Sequence, residues 1–220
     1  MLYNSSVGKK LTMSLTGLFL CTFLIEHLVG NLLLLPFLGD ATGRAYDSYT
    51  EMMASNPIIR TIEFVLFASI FGHAISGVAV WWKNRKARPQ KYGEYRLQDN
   101  TPLASRITMI TGSTVLLFLV VHLRTFFVPM RFGGAHSGYA LVVEAFYNQW
   151  YSLFYILALL LLGYHLRHGF QSAFQTLGLR NKKYFGLIDF IAVLFWFVIP
   201  LGFAIIPMYF LFIHKNIAAL

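Results

Sequence analysis

Apolar residues along this chain neither alternate nor keep to one helical stripe. They fill five long runs, at about 11–35, 58–82, 105–129, 150–174 and 186–213, separated by shorter polar stretches. A helix that is apolar all round belongs in a protein core or in lipid. Each run is long enough to cross ~30 Å of hydrocarbon at ~1.5 Å per helical residue. The pattern therefore predicts an all-α integral membrane protein of five transmembrane helices, a single domain over residues 1–220. Composition points the same way, since 57% of residues are hydrophobic and 12% charged, which argues against a soluble globular domain.

The first run follows Lys9 and Lys10, as in a signal peptide, but no small-x-small cleavage pattern comes after it. It reads as a retained span. Lys9 and Lys10, then Lys83, Arg85, Lys86, Arg88, Lys91, Arg96 and Arg106 in the second connection, and Arg167, Arg180, Lys182 and Lys183 around the fourth, fall on one side of the five runs. By the positive-inside rule that side is cytoplasmic, giving an N-in, C-out topology. Most of the net charge of +9 therefore sits on one face. Such a face sets topology, and it also suits an acidic partner or anionic lipid. Nothing in the sequence supports nucleic-acid binding.

A repeat runs through the first four runs. Thr16-Gly17, nine residues and His27 in the first match Thr111-Gly112, nine residues and His122 in the third. His73 and Gly77 in the second match His165 and Gly169 in the fourth, both as H-x-x-x-G. The spacing describes a duplicated helical hairpin with a fifth helix appended. Each of the four histidines lies about 24 Å along its helix from the side at which that helix enters the membrane. Odd and even runs point in opposite directions, so His27 and His122 share an outer layer and His73 and His165 an inner one. The layers are expected ~15 Å apart in ~30 Å of hydrocarbon.

Two coplanar pairs of intramembrane histidines form the arrangement that holds two haems, each iron taking an axial imidazole from two helices. With both axial positions filled, the chemistry favoured is electron transfer. No C-x-x-C-H is present, so the haems would be b-type, held without thioether bonds, and the lone cysteine, Cys21, rules out an internal disulfide. Gly17, Gly77, Gly112 and Gly169 would let a porphyrin approach a helix backbone, or they serve ordinary helix packing. His168 lacks a counterpart in the repeat and is a candidate propionate partner; His136 and His214 lie toward the outer side.

Other ionisable residues carry two readings each. Glu26, beside His27, is either a proton relay or the partner of another polar group. Asp47 and Glu51 precede the second span on the outer side, as quinone-linked acids or as solvated ones. Arg60, Arg124 and Arg131 near the outer edge pair with haem propionates or snorkel to the interface. Glu63 and Asp189, near helix starts, suit the positive end of the helix dipole. Pro200 and Pro207 are expected to kink the fifth helix.

Taken together, "HLVGN", "GHAISG", "VVHLRTFF" and "YHLRHGFQSAFQTLG" resemble the cytochrome b subunit of succinate:quinone oxidoreductases, of the single-subunit, five-helix, two-haem type, and the resemblance covers essentially the whole chain. It implies a subunit of the bacterial cytoplasmic membrane that anchors a flavoprotein and an iron-sulfur subunit on its basic face. Their electrons would pass through two haems b to a quinone, with menaquinone the expected substrate. FAD and iron-sulfur clusters would belong to those partners, since this chain has neither a dinucleotide fingerprint nor a cysteine cluster. Carried over by position, His73 and His165 ligate the inner haem, His27 and His122 the outer haem, and Glu51 matches the outer quinone-site acid. Some fumarate-reducing members have a glutamate two positions before the fourth ligand, where this chain has Gly163. That difference leans toward succinate oxidation. The reverse direction, a two-haem cytochrome b of another redox complex, a haem-free anchor or transporter with histidine networks, and the pairing of heterotrimers into dimers all stay open at this stage.

Overall fold

The computed structural model describes residues 5–86 and 107–215. Arg88, Lys91, Arg96 and Arg106 of the basic second connection, and the first residues of the 105–129 run, lie outside them. The described residues form seven helices: α1 (Ser6–Leu32), α2 (Arg44–Ser55), α3 (Pro57–Lys86), α4 (Thr108–Phe132), α5 (Gly138–Tyr147), α6 (Gln149–Thr176) and α7 (Phe185–His214). Helices α1, α3, α4, α6 and α7 are long and apolar enough to cross a membrane, the architecture of a multi-pass membrane protein. Large apolar side chains stand on their outer surfaces, Phe64 at 73% and Phe190 at 77% exposure, as suits a lipid solvent.

Helix α1 ends at Leu32, three residues before the hydrophobic run does, because the N–H groups of Leu33, Leu34 and Leu35 turn back to the carbonyls of Gly30, Asn31 and Leu32. Pro36 follows and cannot continue a helix. Leu34 and Leu35 are buried nonetheless, so their hydrophobicity reflects packing beneath the turn. Helices α3 and α6 each start directly after an asparagine. Asn56 Oδ1 accepts the Ile58 N–H at 2.9 Å, and Asn148 Oδ1 accepts those of Trp150 and Tyr151 at 3.0 and 3.1 Å. These side chains cap orphan donors of the first helical turn.

The stretch that holds Asp47 and Glu51 is helical, not a loop, and so is 138–147. At 12 and 10 residues both helices are too short to span, so hydropathy alone passes over them. They extend the repeat, which becomes long helix, short helix, long helix in each half. The two short helices pack on each other at the end of the bundle opposite the lysine-rich one. Asp47 ties them, accepting the Ser137 hydroxyl at 2.7 Å and the Tyr139 N–H at 2.9 Å.

Helices α1, α3, α4 and α6 form a square. Its sides are α1/α3, α4/α6, α1/α6 and a sparser α3/α4; α1 faces α4, and α3 faces α6, across the diagonals. Helix α7 lies outside, against α6 and α1. Ala192, Ile199 and Ile206, seven residues apart and nearly inaccessible, form its buried seam. Between apolar helices in lipid, close packing takes over the role that water exclusion plays elsewhere, and small residues permit it. A Cβ on Gly163 would lie 2.6 Å from the Trp196 carbonyl oxygen, and one on Gly202 would lie 2.9 Å from Leu28.

Prolines shape two of the long helices through π turns. Leu123–Phe127 and Leu194–Val198 each begin six residues before a proline, Pro129 and Pro200. Val128 and Ile199 donate five residues back, to Leu123 and Leu194. A wider turn relieves the clash between a proline ring and the carbonyl one turn earlier. A third π turn, Tyr209–His214, closes α7 after Pro207.

Removing the Asp47 carboxylate leaves a half-buried hydroxyl and an N–H without their acceptor. Asp47→Ala is expected to lower stability by ~1–3 kcal/mol, read from thermal unfolding in detergent. At the start of the same region, Asp40 accepts the Thr42 hydroxyl and the N–H groups of Ala45, Thr42 and Arg44, which hold its carboxyl down at about 2. A depressed carboxyl favours the fold above its unfolded value of ~3.9 and loses that contribution as pH falls through the folded one. Protection of the Thr42 and Ala45 amides, taken as exchange relative to the intrinsic rate at each pH, should hold at about pH 4 and fall as the pH approaches about 2.

Candidate functional site

The four repeat histidines meet in two pairs along the diagonals of the square. His27 of α1 faces His122 of α4, with ring centroids 5.7 Å apart and planes at 85°. His73 of α3 faces His165 of α6 at 6.2 Å and 81°. Tyr155, which touches His122, precedes His165 by ten positions on α6, and Thr16, which touches His73, precedes His27 by eleven on α1. At ~1.5 Å per residue, the two layers lie ~15–17 Å apart along the bundle.

In the layer nearer the lysine-rich end, the repeated Thr-Gly pair positions each ring. His73 Nδ1 donates to the Met13 carbonyl at 3.0 Å and lies 3.5 Å from Thr16 Oγ1. Thr16 gives its own hydrogen to the Thr12 carbonyl at 2.7 Å, which leaves its oxygen free to accept. In the other half, Thr111 donates to the Thr108 carbonyl at 3.1 Å and presents Oγ1 to His165 Nδ1 at 3.5 Å. The adjoining glycines provide the space, since a Cβ on Gly17 would sit 3.0 Å from His73 Cε1, and one on Gly112 would sit 3.2 Å from His165 Cε1.

The second layer uses different partners. Asn31, one turn after His27, donates to the His27 carbonyl at 2.7 Å, and the same amide nitrogen lies 3.4 Å from Nδ1. Phe23 stacks on this imidazole at 5.1 Å, and Phe203 of α7 tilts over it at 5.6 Å. His122 Nδ1 meets the Tyr155 hydroxyl at 3.1 Å. The π turn begins at the residue after His122.

The neighbours of His73, His122 and His165 can accept an Nδ1–H, which leaves Nε2 of those three rings for a ligand, whereas the neighbour of His27 Nδ1 is an amide N–H donor. Two imidazoles that share one metal atom from opposite sides through Nε2, at ~2.0–2.1 Å per bond, have ring centroids about 6.4 Å apart. The inner pair, at 6.2 Å, is close to that spacing, and the outer pair, at 5.7 Å, lies inside it. No cluster of three His, Cys, Asp or Glu side chains suited to a metal ion occurs among the described residues. Two imidazoles alone suit an iron whose remaining ligands come from a macrocycle.

The remaining candidates are placed as follows. Glu26 accepts a hydrogen bond from the Tyr49 hydroxyl of α2, and Gly30, one turn later, lets the Tyr49 ring lie against α1. Burial, and then the Glu26 contact, push the Tyr49 phenol above its ordinary range, so it stays a donor. Glu51 is exposed, two residues from Tyr49 and on the opposite side of α2. Arg124 stands exposed within the π turn, and His168 is half-buried with Nε2 3.2 Å from the Ser172 hydroxyl. Arg60 pairs with Glu63, while Asp189 accepts from Gln171 at 2.8 Å and Arg180 at 3.4 Å. Both acids thus have cationic partners beyond any helix-dipole effect. Arg131 and His136 are exposed, and His214 sits between the hydroxyls of Tyr147, at 2.7 Å, and Tyr139, at 3.2 Å.

Sequence reasoning missed Tyr155 and Asn31. For Tyr155 no local signal exists, because its contact comes from another helix; Asn31 sits one turn from His27, a spacing that helical geometry makes legible. The fit of the inner layer yields a test. Gly17→Val and Gly112→Val force branched side chains against His73 and His165 and are each expected to cost ~1–3 kcal/mol, measured as lowered thermal stability in detergent.

Comparison of this chain with protein-family models, curated proteins and solved structures gives no match.

Proposed function

We propose that this chain is a di-haem b membrane anchor of a succinate:quinone oxidoreductase, in which the two histidine pairs supply the axial ligands of two haems. The observation that carries the reading is the pairing itself: two imidazoles per layer, with ring centroids 5.7 and 6.2 Å apart and with acceptors beside Nδ1 of His73, His122 and His165. When bound, haem supplies reversible one-electron chemistry. The chain's part is to hold the axial nitrogens, exclude water and set the spacing of the layers.

Met13, Thr16 and Thr111 keep the inner histidines in the tautomer that leaves Nε2 unprotonated. Asn31 and Tyr155 position the outer pair, and the surrounding phenylalanines keep it dry. In this reading, a flavoprotein carrying FAD and an iron-sulfur subunit dock on the lysine-rich cytoplasmic face. The His73–His165 pair would hold the haem nearer those partners and the His27–His122 pair the haem nearer the α2/α5 end, where menaquinone would be the acceptor of the electrons from succinate. The exposed carboxylate of Glu51 is available there for proton exchange. Arg124 and His168 are the proposed propionate partners. Gly163 supports the succinate-oxidising direction, since its contact with the Trp196 carbonyl leaves no room for a glutamate side chain at that position.

Pyridine haemochrome analysis of the purified protein is expected to give two haems b per chain. His27→Ala or His122→Ala should each remove one haem, and His73→Ala or His165→Ala the other, in folded protein. A folded, haem-replete preparation that contains none, or both haems with unchanged spectra after His73→Ala, would refute the assignment.

A further inference from the structure

The two halves of the repeat agree at the inner layer and part company at the outer one. Inside, Thr16-Gly17 faces His73 just as Thr111-Gly112 faces His165. Outside, Asn31, four residues after His27, is replaced at the equivalent position after His122 by Phe126. His122 therefore lacks the amide that accompanies His27. Its polar contact comes instead from α6, where Tyr155 stands ten residues before His165; the equivalent position on α3 is Glu63, which pairs with Arg60.

Tyr155 is held as a positioned donor-acceptor group and not as a generic core aromatic. It is 5% exposed, and Phe118, Phe126, Phe146, Tyr151 and Phe154 surround its ring at centroid distances of 4.8, 6.3, 5.0, 4.8 and 6.0 Å. A hydroxyl in such a cage is costly without partners. It has two, the Tyr151 hydroxyl at 3.0 Å and His122 Nδ1 at 3.1 Å. The π turn that starts immediately after His122 carries Phe126, which packs against both rings, at 5.4 Å from His122 and 6.3 Å from Tyr155.

We infer that Tyr155 is a positioning residue for the outer site: its hydrogen goes to the Tyr151 oxygen and its own oxygen accepts the Nδ1–H of His122, fixing the ring and making that imidazole a stronger axial donor than an unpartnered one. A histidine that gives one nitrogen to a metal almost always donates the other N–H, and that acceptor raises ligand basicity. A more basic axial ligand favours the oxidised iron. Tyr155 has no equivalent in the repeat, and the inner histidines face Met13, Thr16 and Thr111 instead, so the two layers present different acceptors to Nδ1. The inference rests on the di-haem reading above.

The test is a redox titration of the full chain with bound haem, followed optically and by low-temperature electron paramagnetic resonance, with the outer haem identified as the one lost in His122→Ala. Tyr155→Phe keeps the ring and deletes only the acceptor. It is expected to raise the outer midpoint potential, shift the outer low-spin ferric signal and weaken retention of that haem by about 10-fold or more, leaving the inner haem unmoved. Phe154→Leu, which loosens the same cage but keeps the hydroxyl, should leave both potentials in place. Two haems with unmoved potentials in Tyr155→Phe, or an equal shift in Phe154→Leu, would overturn the role of Tyr155 alone. A folded wild-type protein without haem would overturn the di-haem reading and this inference with it.

Discussion

An imidazole at membrane depth must find a partner for each polar nitrogen, because hydrocarbon offers none, and much of this structure follows from that demand. An unpaired polar group in apolar surroundings costs several kcal/mol, about as much as a well-formed helix contact returns. Here Nδ1 is engaged at all four sites by atoms of α1, α4 or α6. The rings are thereby oriented across the diagonals of the bundle. Cross-helix contacts on His73, His122 and His165 also make the hairpins cohere, so the elements that hold the site also hold the fold.

Packing supplies the rest, and its unit is the missing side chain. Gly17 and Gly112 make room for imidazoles, Gly30 for a tyrosine ring, and Gly163 and Gly202 for helix α7. With little gain available from removing apolar surface from lipid, such close approaches carry much of the association energy. The π turns belong to the same economy. They seat Pro129 and Pro200 within long helices, and one of them lies directly beside His122.

The two ends of the bundle differ in kind. One presents lysines and arginines at the ends of α1, α3 and α6. The other is closed by α2 and α5, where Asp47 joins the short helices and Tyr49 reaches back to Glu26. Among the described residues, the acids within the spans are each accounted for: Glu63 and Asp189 pair with arginine, whereas Glu26 is partnered by a phenol. An arginine balances the charge of a carboxylate, whereas a phenol offers it a hydrogen bond alone.

Five apolar runs, the matched Thr-Gly and histidine spacings and the asymmetry of basic residues were legible in the sequence, because hydropathy and helical periodicity are local properties that residue order alone expresses. So was the asparagine before each of α3 and α6, although its meaning as a cap appears only once helix starts are located. The short helices were not legible as spans by hydropathy, since 10 to 12 residues cannot cross a membrane. Which histidine faces which was foreseeable from depth and direction, but the diagonal geometry, the Nδ1 partners, the tie from Tyr49 to Glu26 and the contact of Gly163 with α7 were decided in the tertiary structure. Those features join residues distant in the chain, and their formation depends on how close two helix backbones come, a quantity set by the whole bundle and not by any one of its segments.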